Sequence, residues 1–191
     1  MRKRTQIPLI LGILLILLAV LAVFGTQVFQ KQAAEKADVL YTQLLALMPE
    51  VQDTAPDGRT DPAMPLLEVE GTDFAGVMEL PAYGTTLPLC AHWNPAAVAR
   101  YPCRYTGSLY DNSLIIGGSD APGQLDFTKT VTNGDTVYVT DTTGGRYRFT
   151  VTAIEKTKDV SAENLSRDAD LTLFARNTYN LDYTVIRCSL K

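Results

Sequence analysis

A mostly β domain, a closed barrel or a sandwich, is the fold class that this sequence predicts, set behind one apolar helix and a helical stem. Three observations carry it. Beyond about Leu66 the chain breaks into short runs rich in alternating or β-branched residues, divided by Gly-, Asn- and Asp-containing turns. It closes on two such runs, Leu171–Ala175 and Tyr183–Leu190, parted by the polar turn Arg176–Asp182. A closing hairpin or adjacent strand pair of a small barrel is the simplest reading of that end. Near the other end, Ile7–Phe29 contains no charged residue.

Taken in order, residues 1–6 carry Arg2, Lys3 and Arg4, and residues 7–29 follow as an apolar run. A bilayer core of about 30 Å takes roughly 20 apolar residues in a helix. Basic residues before the run and none closely after it predict a single-pass membrane protein, with a cytoplasmic N-terminus and an extracytoplasmic remainder. A cleaved signal peptide competes with this reading. Its apolar region is usually about 7–15 residues long, and Gly25-Thr26-Gln27 lacks a small-x-small cleavage site.

Residues 30–48 read as a stem helix, with Ala33, Ala37, Leu40, Leu44 and Leu47 on one stripe and charges elsewhere. Packing against its own domain is the ordinary fate of such a stripe. Pro49 ends it, and residues 49–65, with Pro56, Gly58, Pro62 and Pro65, form a linker. Asp53, Asp57 and Asp61 are spaced too widely for an EF-hand loop.

Residues 66–191 form the outer domain. Its candidate strands are Gly76–Leu80, Thr85–Leu89, Ser113–Ile116, Thr136–Thr140, Tyr147–Glu155 and the two closing runs. Thr143-Gly144-Gly145 marks a hairpin. Short helical turns are expected at Pro95–Arg100, Leu125–Lys129 and Ala162–Ser166. With a net charge of −4 over 191 residues and no later Lys/Arg cluster, a nucleic-acid surface is not expected.

The order of several segments resembles the sortases of Gram-positive bacteria, membrane-anchored cysteine transpeptidases with an eight-stranded β-barrel. Phe74–Pro81 is similar to the family's opening strand, and Thr86-Leu87-Pro88-Leu89 to the segment after it. Asn112–Gly117 resembles the strand that runs into the catalytic histidine. Asn133-Gly134-Asp135-Thr136-Val137 and Leu171-Thr172-Leu173 resemble two further family segments. The resemblance covers about Asp73 to Lys191 and implies a sortase-like closed β-barrel at the cell surface. It also implies a cysteine nucleophile, a histidine and an arginine for attack on a Thr–Gly carbonyl.

At the matching positions stand Gly118 for the histidine, Arg176 for the cysteine and Asp182 for the arginine. None of the three can do the family's chemistry. The resemblance therefore implies a pseudo-sortase that binds a peptide or surface protein, with Arg176 and Asp182 as candidate cleft residues. An Arg176–Asp182 ion pair closing the cleft is one expectation. Two alternatives stand beside it: a cysteine transpeptidase or hydrolase using Cys90 or Cys103 with His92, and a structural or assembly partner of another sortase.

Cys90 and Cys103 bracket a short loop, and outside the membrane two readings stand open, a disulfide between them or two free surface thiols. The disulfide would close a loop of about 13 residues, worth roughly 3 kcal/mol in the chain-entropy model. Cys188, on the last strand, reads as a buried small hydrophobe. One histidine and three scattered cysteines give no zinc-ligand spacing. Asp159, Glu163, Asp168 and Asp170 lie where some sortases bind calcium but read as a solvated acidic loop, so no metal or cofactor is expected. Leu80-Pro81-Ala82-Tyr83-Gly84 looks like a sorting signal yet coincides with a strand end, and reads as structure.

Overall fold

A computed structural model of the protein describes residue 17, residues 40–53 and residues 63–191. Among them no helix is long and apolar enough to cross a membrane; of the expected span Ile7–Phe29 only Leu17 is described. Residues 30–39 of the expected stem and 54–62 of the linker also lie outside the described residues.

Ten strands and several short helices follow in chain order. They are β1 (Gln52–Asp53), β2 (Leu67–Val69), β3 (Thr72–Leu80), β4 (Thr85–Cys90), β5 (Cys103–Thr106), β6 (Leu114–Ser119), β7 (Thr136–Asp141), β8 (Gly145–Thr157), β9 (Leu171–Arg176) and β10 (Tyr183–Leu190). Helix α1 covers residues 40–47, α2 is Pro95–Val98 and α3 is Ala162–Leu165. The hydrogen-bonded order β8–β10–β9–β6–β5–β4–β3–β7 returns to β8 and closes an eight-stranded barrel, with β1 and β2 as flanking strands. Closure leaves no long open edge. The predicted closing pair is the antiparallel β9–β10 ladder, with Tyr183 opposite Arg176 and Cys188 opposite Leu171.

Local chemistry sets the connections. Pro81–Tyr83 forms a 3₁₀ turn that ends on Gly84 in the left-handed region, so the sorting-signal look-alike is a β3–β4 corner. Tyr83 then donates its hydroxyl to Asp135 Oδ2 at 2.6 Å, pinning that corner to the turn before β7. The β7–β8 hairpin is closed by fully buried Asp141, whose Oδ1 accepts from the Thr143 and Gly145 N–H groups at 2.8 and 3.0 Å. Asn94 caps α2 by accepting from the Ala97 N–H.

The strand reading missed β1, β2 and β5. Each is four residues or fewer, too short for an alternation to register.

The barrel interior holds Met78, Leu80, Leu89, Leu114, Ile116, Leu125, Phe149, Leu173 and Ile186. A second cluster lies outside the barrel wall, where Leu40, Leu44 and Met48 cover Val69, Phe74, Val77, Cys90 and Cys103. Over residues 40–48 the stem thus packs on its own domain. Leu47, read as a stripe member, is 59% exposed, and Met48 takes its place four residues after Leu44.

Candidate functional site

The place where the resemblance expects chemistry is the end of the parallel pair β6–β9 and the start of β10. Both strands are near-continuous apolar runs because both faces are covered: the barrel core lies inside, and a smaller cluster of Ile115, Leu165, Phe174 and Val185 lies outside. The register pairs Gly117 with Phe174, Gly118 with Ala175 and Ser119 with Arg176. Strand alternation then decides which residues share a face. Gly117, Ser119, Phe174 and Arg176 face outward, whereas Gly118 faces the core.

That alternation puts Gly118, the position matched to the histidine, on the core face. A Cβ on Gly118 would sit 3.2 Å from Leu125 Cδ1 and 3.3 Å from Gln124 Oε1, with no room for an imidazole. The residue level with Arg176 is Ser119. Its hydroxyl donates to Gln124 Oε1 at 3.2 Å and accepts from the Ala121 N–H at 3.3 Å, so it is spent on shaping the loop. On the last strand Tyr183 stands opposite Arg176 across the β9–β10 ladder, with Asp182 the residue before it.

Arg176 is exposed, and its side chain enters no ion pair among the described residues. The expected Arg176–Asp182 pair does not form. The Asp182 carbonyl accepts from the Asn177 N–H at 2.8 Å, closing the β9–β10 turn, while its carboxylate Oδ1 is buried without a hydrogen-bond partner.

Beside Arg176 the outer face is aromatic. Phe174 stacks against Trp93, Tyr105 and Tyr183 at centroid distances of 5.5, 5.4 and 6.2 Å. Trp93 meets Tyr105 edge to face at 5.1 Å. Gly117 makes this packing feasible, since a Cβ there would lie 2.3 Å from Phe174 Cζ and 2.6 Å from Trp93 Cζ3. None of this cluster was singled out in the sequence, because its members come from four separate segments.

Sequence reasoning also missed Asp120. It is buried just past β6, and its Oδ1 accepts from the Thr178 N–H at 2.9 Å and from the Thr178 hydroxyl. Its N–H donates to the Arg176 carbonyl at 3.0 Å, and Lys129 Nζ lies 3.5 Å from Oδ2. Burial pushes this carboxyl up, but the Thr178 bonds and Lys129 outweigh it and hold the group below its ordinary value. Asp120 therefore ties the ends of β6 and β9 together and fixes the backbone from which Arg176 projects.

The alternative constellation lies elsewhere. Cys90 and Cys103 face each other across β4 and β5, as free thiols sealed beneath α1. Cys90 Sγ donates to the His92 carbonyl at 3.6 Å, while the exposed His92 ring contacts Asp73 Oδ2 at 3.2 Å. Cys90 is 2% exposed, so a substrate carbonyl has no path to its sulfur. Cys188 is fully buried at the far end of β9 from Arg176, and burial pushes its thiol up to about 12.

No three of the His, Cys, Asp and Glu side chains among the described residues are grouped to hold a metal ion. Asp159 caps its own turn by accepting from the Ser161 N–H, and Asp170 accepts from the Leu190 N–H, so these two carboxylates point to separate tasks.

No protein-family profile and no characterised sequence matches the chain. Solved structures do. Sortase C1 from Streptococcus agalactiae superposes with a TM-score of 0.55 at 19% identity, over 65% of this chain and 70% of that one. Sortase A from Corynebacterium diphtheriae gives 0.55 at 14% identity, covering 85% and 84%. Sortase C from Clostridium perfringens SM101 gives 0.54 at 13%, covering 85% and 87%. The eight-stranded barrel of this chain is the sortase fold.

Proposed function

We propose that the protein is a membrane-anchored, extracytoplasmic sortase-like protein that does not catalyse transpeptidation and instead binds a carboxylate-bearing peptide or protein segment. The observation that carries this reading is Arg176, an exposed guanidinium without an ion pair among the described residues, at the strand end that the resemblance matches to the nucleophile. A guanidinium offers a forked donor array suited to a carboxylate and cannot attack a carbonyl. The aromatic face of Trp93, Tyr105 and Tyr183 beside it supplies apolar area for a neighbouring side chain.

The test uses the full chain with a peptide containing a Thr–Gly bond and an amine acceptor. Neither cleavage nor a thioacyl adduct is expected. In calorimetry a peptide with a free carboxylate should bind, and Arg176→Gln should weaken binding by about tenfold or more, as expected for a charge-assisted bond. The variant's own stability should stay within about 0.5 kcal/mol of the parent, because the side chain is exposed. Cleavage abolished by Cys90→Ala, or binding indifferent to Arg176→Gln, overturns the proposal. Anchoring through Ile7–Phe29 is tested by alkaline extraction of membranes: the intact chain should stay in the pellet.

A second reading, a structural partner of an active sortase, is favoured by Tyr179 and Leu181, which are 86% and 65% exposed in the turn beside Arg176. Co-purification of a sortase that depends on those two residues but not on Arg176 would select it.

A further inference from the structure

We infer that Cys90 and Cys103 form a redox-active dithiol whose oxidation staples β4 to β5, and that α1 controls access to it. The two residues are the one register pair of the parallel β4–β5 ladder. Neighbouring strands lie about 4.8 Å apart, which falls inside the roughly 4.4–6.8 Å Cα range of disulfides. Both side chains point into the same cluster, beside Phe74, Leu44 and Met48.

The place in the barrel gives the bond its consequence. Every other joint of the ring holds at least three register pairs, and the β4–β5 joint holds one, supported by the Cys90 N–H donating to the Pro102 carbonyl at 2.9 Å. A covalent link here reinforces the seam with the fewest hydrogen bonds. The chain between the two cysteines crosses over through α2 and carries Trp93 of the aromatic face. Stapling therefore also restrains one wall beside Arg176.

The chemistry balances with a disulfide oxidant, small or protein-borne. The Cys90 thiolate attacks one sulfur of that disulfide and displaces the first thiolate, leaving a mixed disulfide. Cys103 then loses its proton and attacks the Cys90 sulfur, displacing the second thiolate. Two electrons pass to the oxidant and two protons to the displaced thiolates. The Cys103 side chain beside it lowers the Cys90 thiol from its ordinary value, whereas Cys90 and burial raise Cys103, whose thiol donates to the Tyr101 carbonyl at 3.4 Å, so Cys90 supplies the first thiolate. With Cys90 2% exposed and Cys103 fully buried, exchange requires Leu40, Leu44 and Met48 to lift.

The test treats the native full chain with increasing oxidised glutathione, followed by acid quench, alkylation and mass measurement. Before alkylation the expected product is lighter by about 2 Da, the two hydrogens lost on oxidation; after alkylation under denaturing conditions it carries one alkyl group, on Cys188, where the reduced chain carries three, and peptide mapping should link Cys90 to Cys103. Its Tm should exceed that of the reduced form by several degrees. Cys188→Ala should keep that rise and Cys103→Ala should lose it. Leu44→Ala should oxidise faster than the parent. A link involving Cys188, stable glutathione adducts in place of the internal bond, or an oxidation rate unchanged in Leu44→Ala would each overturn the proposal. None of these readouts depends on Arg176, so failure here and failure of the binding reading are separable.

Discussion

Two regions of the barrel wall invert the arrangement expected of a cysteine transpeptidase. At the β6–β9–β10 end, held by Asp120, the barrel sets Arg176 level with Ser119 and Tyr183, and no thiol or imidazole stands among these three. At the β4–β5 seam the reactive residue types are present, two thiols with the only histidine close by, but α1 seals the sulfurs from solvent. Catalysis requires reactivity and access at one point. In this chain the two thiols lie sealed at one seam, while charge and aromatic area are exposed at the other region.

The largest expected effect breaks the sealed region. Leu44 of α1 is fully buried, and Leu44→Ala should cost about 2–5 kcal/mol as a large-to-small core change. Urea denaturation of the full chain measures it. A cost under about 0.5 kcal/mol, the size of a surface substitution, would mean that the stem does not seal the thiols.

Next is Gly117→Ala, which intrudes on the accessible region. The added methyl would meet two rigid rings, Phe174 and Trp93, so a loss of about 1–3 kcal/mol is expected from overpacking. Because Trp93 is the single tryptophan, its displacement should appear as a red shift in fluorescence. An unshifted spectrum would show that the aromatic face is looser than its ring distances imply.

The smallest effect is Asp120→Asn, expected to cost about 1 kcal/mol near neutrality by weakening hydrogen bonds to a charged group. The sign with pH follows from a folded-state value held below the ordinary 3.8. Stability from this carboxylate is complete above 3.8 and lost as pH falls through the depressed value. The gap between variant and parent should therefore narrow below that pH. A gap that stays constant down to acid denaturation would remove Asp120 as the charged tie between β6 and β9.

Much of the fold was legible before any coordinates. Tyr183–Leu190 agrees with β10 end to end, and the Thr143-Gly144-Gly145 hairpin and the corner at Pro81–Gly84 fall where their turn chemistry puts them. These features are local: β-branched alternation and left-handed glycines act within a few residues. β5 was not legible, because Cys103-Arg104-Tyr105-Thr106 becomes a strand by pairing with β6 and β4, not by its own pattern.

The candidate site divides the same way. That residue 176 is an arginine and that no histidine follows Gly117 are facts of the sequence, and they bear on thiol chemistry at that strand end wherever the side chains point. Whether Arg176 pairs with Asp182 was beyond its reach. Six residues of turn can bring two charges together or hold them apart, and here the turn closes through the Asn177 N–H and the Asp182 carbonyl while the two side chains form no ion pair. Likewise Gly118 facing the core, Trp93 seated over Gly117 and Cys90 opposite Cys103 are matters of register and closure. A one-residue difference in register exchanges the faces of a strand, so these pairings exist only once the barrel has closed.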